Sequence, residues 1–180
     1  MIHFEEEKCV SHPASLVLET MVERMEDIVP FLHTVEAIET LSREDLPDGR
    51  IRILRRWQGT DAGAPQKIRP FLTRESLTWL DTADWSPAEY RVDWKIETSA
   101  GKLYECSGTN YFGPDPTDPE GSTLMRVTGD LAIYPDRLPG VPGFLGRRMA
   151  PMVEKFVVNL LTPNLIEVSV GLQGYLDDQS

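Results

Sequence analysis

Apolar and polar positions alternate along most of the chain, and the period changes only near its end. Residues 2–10 place Ile2, Phe4 and Val10 on one parity, which predicts a first strand. Ser11-His12-Pro13-Ala14 then predicts a helix start. Ser11 or His12 would be the cap, with Pro13 near the first helical position, where its missing N–H costs nothing. Leu16, Val17, Met21 and Val22 follow at helical spacing, and Pro30 closes this segment or a short helix after it.

A strand-rich stretch with regular turn signals comes next. Residues 34–41 form one run, and Leu46-Pro47-Asp48-Gly49 reads as a turn in which Gly supplies a positive φ. In residues 50–58, Ile51, Ile53 and Trp57 share one face while Arg50, Arg52 and Arg56 share the other. That pattern means one buried face and one wet face. Residues 59–65 read as a loop, and residues 74–81 carry Leu77 and Trp79 in phase. Residues 89–97 set Tyr90, Val92, Trp94 and Ile96 against Arg91, Asp93, Lys95 and Glu97. A turn at Ser99-Ala100-Gly101 leads to a strand over 102–112, a Pro/Asp-rich loop over 113–121, and a last strand over 123–134 with Met125, Val127, Leu131 and Ile133 in phase.

After Pro139-Gly140-Val141-Pro142-Gly143 the period becomes helical: Leu145, Met149, Met152, Val153, Phe156 and Leu160 recur at i, i+3 and i+4 spacing. Leu165, Val168, Leu172 and Leu176 continue the stripe beyond Thr162-Pro163. Pro163 should kink or split this helix, because it removes one backbone bond and clashes with the carbonyl four residues back. Unbroken, residues 144–176 would run about 50 Å. One early helix and one late helix cannot connect parallel strands, so the order implies an α+β layout, an antiparallel sheet of about seven strands with helices on one face.

Composition narrows the function classes. A chain of 180 residues can bury roughly 70% of its unfolded surface, so it needs no disulfide to hold one domain over 1–180. Cys9 and Cys106 lie far apart with no CxxC and no Cys/His cluster, which argues against a metal and for two buried, reduced thiols in a cytoplasmic protein. The N-terminus has neither the basic nor the apolar region of a signal peptide, and no apolar run approaches a membrane span. A formal charge of −11, from 18 basic and 29 acidic residues, repels nucleic acid. There is no GxSxG, HExxH or P-loop, and His3, His12 and His33 show no ligand spacing. No cofactor is expected. The sequence does not set the oligomeric state.

Parity then selects candidate site residues. Arg55, Trp57, Trp79, Trp94, Tyr104 and Asn110 fall on the inward parity, as do Ile51, Ile53, Leu77, Val92 and Cys106. Each inward tryptophan supplies a large apolar wall and one N–H donor. Arg55 interrupts an apolar parity, and a buried charge is costly without a partner. Glu6, on the parity of Phe4 and Val10, or a ligand carboxylate would answer it; alternatively a bulge or strand end turns Arg55 outward. Met152 and Phe156 on the closing helix complete the candidate set.

The element order, the opening strand running into Val10-Ser11-His12-Pro13-Ala14, the step from Phe31 to Glu39 into a second strand, and the closing helix resemble the START-like superfamily, also called Bet v 1-like, polyketide cyclase/lipid transport or SRPBCC. The resemblance spans nearly the whole chain and implies a helix-grip fold, with a sheet closed around the C-terminal helix and a cavity between them. It implies binding or transport of a small hydrophobic ligand, lipid or polyketide-like. Two other readings stand beside it: a polyketide cyclase/aromatase in which Glu6, Tyr104 or Arg55 holds an enolate or carbonyl oxygen, and a protein-interaction module with a filled core. Val141, Phe144 and Leu145 beside Arg147 and Arg148 would either touch a membrane transiently, gate the cavity, or staple the helix start.

Overall fold

In the computed structural model, residues 1–62, 64–98, 103–137 and 143–180 are described, apart from the side chains of 143–147 and 159–166. Seven strands form one antiparallel sheet: β1 (Ile2–Val10), β2 (Val35–Asp45), β3 (Ile51–Gly59), β4 (Thr78–Ser86), β5 (Arg91–Thr98), β6 (Tyr104–Asp115) and β7 (Asp118–Ile133). Their order is β1-β7-β6-β5-β4-β3-β2. Helix α1 (Ala14–Glu23) and the 3-10 segment Met25–Phe31 connect β1 to β2, the two sheet edges. Helix α2 (Gly143–Asp178) closes the fold.

Period decides the layering. Ile53, Trp57, Trp79, Ala83, Trp85, Val92, Trp94 and Ile96 are buried on one face of the sheet, in one cluster with Val17, Met21 and Ile28 and with Phe156, Val168 and Leu172 of α2. The opposite face carries charge pairs laid across or along the strands. Arg52 donates twice to Asp84 (2.7 Å each), Arg91 to Asp93 (2.7 Å), and Lys95 to Glu97 (2.9 Å). Such exposed pairs are worth at most about 1 kcal/mol each, so the buried face supplies the stability.

Local chemistry moves several boundaries. Residues 73–77 form a tight turn instead of a strand, because Thr73 and Ser76 exchange side-chain and backbone hydrogen bonds (2.8–3.2 Å). Strand β4 therefore runs on to Ser86, past the expected end at 81, and carries Trp85 inward as well. Tyr90 is a left-handed turn residue (φ 51°) ahead of β5 and not its first inward position. The expected loop over 113–121 is mostly strand: β6 and β7 pair down to Asp115–Asp118, where Asp115 accepts from Thr117 N–H and Oγ1 (2.7 Å each). Neither Ser11 nor His12 caps α1; Pro13 holds that position without a side-chain bond. Ser11 N–H instead donates to Gln173 (2.7 Å) and the His12 ring pairs with Asp177 (2.8 Å), which ties the start of α1 to the end of α2. Cys9 is exposed, since it sits on the parity opposite Val10; Cys106 is buried as expected.

α2 is one element of 36 residues, and no second helix start is found at Thr162-Pro163. Packing of its flanks against the core offsets the lost backbone bond. The turn at 99–101, the segment 138–142, and the side chains of Phe144, Leu145 and Arg147 lie outside the described residues.

A glycine pair explains how the sheet accommodates its largest side chain. Phe4, Gly129, Gly108 and Trp94 form one row across β1, β7, β6 and β5. The Trp94 indole lies over the two glycines and stacks on Phe4 (ring centroids 6.4 Å apart). A Cβ at Gly108 would overlap the Thr128 carbonyl and the Trp94 ring. Gly108→Ala should therefore cost about 1–3 kcal/mol or more through overpacking, read as a lower urea midpoint with a changed near-UV tryptophan signal. An unchanged midpoint would show that this close approach is not required.

Candidate functional site

A cavity of about 70 Å³ opens between the sheet and the helices. Its wall is mostly apolar. β3 and β4 contribute Trp57, Trp79, Ala83 and Trp85; β5 contributes Val92, Trp94 and Ile96; Met125 comes from β7. Met21, Met25 and Val168 close it from the helical side. Two polar residues interrupt this wall, Asp81 and Asn110.

Alternation along the strands places each of these. Trp57 and Trp79 are direct cross-strand neighbours and stack (5.9 Å, 17°). Trp85 stacks on Phe112 (5.8 Å, 20°). The Trp94 indole N–H donates to Asn110 Oδ1 (2.7 Å), which orients both side chains.

Arg55 points inward and is 2% exposed, so it is not turned outward. A bulge does occur here, but on β2 between Thr40 and Ser42, opposite Arg55. Two donors are spent on local structure: Nη2 on the Val22 carbonyl (2.7 Å) and Nε on Thr40 Oγ1 (3.3 Å). Val22 lies in the last turn of α1, where carbonyls lack an intrahelical partner and the helix dipole favours a cation. Nη1 is buried with no partner. Burial lowers the guanidinium pKa, opposed first by Asp81 and then by Glu26 and Glu23.

Asp81 sits directly across the ladder from Arg55, on the same face. The two form no ion pair, and Asp81 Oδ1 is also buried without a partner. Asp81 keeps part of its surface open where it lines the cavity, but its carboxyl is deeply buried. Desolvation pushes its pKa up to about 6, against the lowering effects of Arg55 and the nearby Trp57 N–H. That N–H favours the carboxylate without completing a well-aligned hydrogen bond. Trp57 and Trp85 Nε1 are likewise buried and unpartnered.

The remaining candidates scatter. Tyr104 is fully buried, its hydroxyl lacks a partner, and desolvation raises its pKa, which holds it as a neutral phenol outside the cavity wall. Phe156 is buried and Met152 partly buried on α2, in the common core but not on the described wall. Glu6 is exposed on edge strand β1, opposite Val127, so it is not the partner of Arg55. An edge strand lets an inward-parity side chain reach water. Trp85 was missed because the expected strand ended at 81; Asp81, the last residue of that expected strand, was not singled out although it interrupts the parity of Trp79 as Arg55 interrupts that of Trp57. Among the described residues no group of His, Cys, Asp or Glu is arranged to hold a metal, and no helix is long and apolar enough to cross a membrane.

The architecture and cavity define a helix-grip fold of the START-like, Bet v 1-like type. Solved structures agree with it. The protein TTHA0849 from Thermus thermophilus superposes with a TM-score of 0.68 at 18% identity, over 99% of both chains. The Zhui aromatase/cyclase from Streptomyces sp. R1128 superposes with a TM-score of 0.65 at 18% identity, over 96% of this chain and 93% of that one. Ara h 8.0201 matches with a TM-score of 0.59 at 15% identity, over 98% of each chain. No family model and no curated protein matches the sequence.

Proposed function

We propose that this protein binds a small hydrophobic ligand, lipid or polyketide-like, in the cavity between the sheet and α2. One observation carries the reading: an apolar, tryptophan-lined cavity in which polar atoms are left unpartnered. A mostly apolar pocket with a few placed polar groups is the usual form of a small-molecule site. The likeness to an aromatase/cyclase fold supports it. Size limits the guest. Drug-sized ligands occupy roughly 300–1,000 Å³, so a cavity of about 70 Å³ must widen for any such molecule. Met21, Met25 and Met125 on its wall are unbranched and adaptable, suited to that change.

All four tryptophans of the chain line the cavity, which makes intrinsic fluorescence a direct reporter. Titration with a panel of lipids and polyketide-like aromatics should give saturable quenching or a spectral shift with at least one class. Emission unchanged across the panel would favour a filled core serving protein interaction.

A second reading, a cyclase-type enzyme, is favoured by Asp81 itself. A carboxyl with a pKa of about 6 beside a cation is poised to exchange protons near neutral pH, while Arg55 would hold a developing enolate oxygen. Turnover of a poly-β-keto substrate mimic that disappears in Asp81→Asn would support it; equal turnover would remove it.

A further inference from the structure

We infer that the cavity's guest carries a neutral group that both donates and accepts a hydrogen bond, a hydroxyl or primary amide, seated between Arg55 Nη1 and Asp81 Oδ1. This rests on the cavity being a ligand site and adds the chemistry of the ligand's polar end. Both atoms are buried and unpartnered, and they belong to cross-strand neighbours on one face that do not touch. A buried polar atom without a partner costs about 1–3 kcal/mol, so two on adjacent side chains mark a place for a bridging group. Asp81 lines the cavity and Arg55 lies behind it, so the guest's polar end reaches Nη1 past the Asp81 side chain as the cavity widens.

Charge selects the bridge. Arg55 already faces the Val22 carbonyl at the negative end of α1, with Asp81, Glu26 and Glu23 in electrostatic range. A ligand carboxylate would add a further negative charge beside Asp81 and meet repulsion there. An ammonium would meet the unpaired Nη1 of Arg55 instead. A hydroxyl suits both atoms, because its oxygen accepts from Nη1 while its proton goes to Oδ1. An ether or ketone satisfies only Arg55 and leaves Asp81 Oδ1 unanswered. Trp85 Nε1–H, also unpartnered, adds a donor that favours a further acceptor oxygen on the guest.

The test compares phenol, anisole and benzoate, which share a ring and differ at the polar end. Binding is read at about pH 7.5, where Asp81 is mainly ionised, from the four indole N–H signals in 15N-correlated spectra. Phenol should bind at least about tenfold more tightly than either analogue, as expected for a buried charge-assisted bond. In Asp81→Leu that preference should fall below about threefold while anisole binding persists. Phenol and anisole binding equally well to the wild-type protein, or benzoate binding best, overturns this inference and leaves the cavity as a ligand site. Binding of none of the three overturns it too, and the wider fluorescence panel then decides the cavity reading separately. The wild-type comparison stands even where the variant does not fold.

Discussion

Asp81→Asn is expected to stabilise the protein at about pH 8 by up to about 3 kcal/mol, with the gain vanishing as the pH falls below the ordinary carboxylate range. The folded chain raises the Asp81 pKa from 3.8 to about 6. Between these values the folded state holds a proton that the unfolded state has released. Stability therefore falls as pH rises through this window and is flat above it. One pKa unit corresponds to about 1.4 kcal/mol, and the shift spans about two. Asn imitates the neutral acid in shape and does not ionise, so its advantage appears only where Asp81 is charged. Urea midpoints of both proteins at about pH 4, 6 and 8 measure this. A constant difference across pH would mean that Asp81 titrates normally. Retention of a destabilising ionisable residue inside the cavity is what a site under functional demand would show.

Arg55→Met is expected to be the most damaging single change at the site, costing about 3–5 kcal/mol at neutral pH. Three effects combine. The Val22 carbonyl at the end of α1 loses its donor, Thr40 Oγ1 loses another, and the buried Asp81 loses the cation that lowers its pKa. Methionine replaces most of the stem's volume, so cavity formation is a minor part. The pair is coupled through charge. Arg55→Met/Asp81→Asn should therefore be more stable than the two separate changes summed would suggest, and the excess should shrink at low pH, where Asp81 is protonated. Additive energies at every pH would show that the residues act independently, with Arg55 serving only as a cap for α1.

The architecture was legible because its period is strong. Seven strands, the early helix and the closing helix follow from alternation and from the shift to helical spacing after 143. Boundaries failed where side chains bond to the local backbone: Thr73 and Ser76 turned the start of the strand expected over 74–81 into a turn, and Asp115 with Thr117 drew a loop into a hairpin. The site was half legible. Parity placed Trp57, Trp79, Trp94 and Asn110 on the cavity wall and Arg55 in the core. It misled at Glu6, because parity reports the face of a sheet and not whether a helix covers that edge. It missed Asp81, whose importance depends on lying opposite Arg55 across the β3–β4 ladder. Register of that kind is a pairing between strands, which the pattern within one strand does not contain.

The central claim is that the space beneath α2 holds a small molecule. Native mass spectrometry of the purified protein, before and after incubation with phenol and with a lipid and polyketide-like panel, tests it most directly. The expected result is a complex heavier than the 20.3 kDa chain by one small-molecule mass, lost on denaturation and diminished for neutral hydroxylated guests in Asp81→Leu. The bare chain mass in every charge state, with no adduct from any member of the panel, would contradict it.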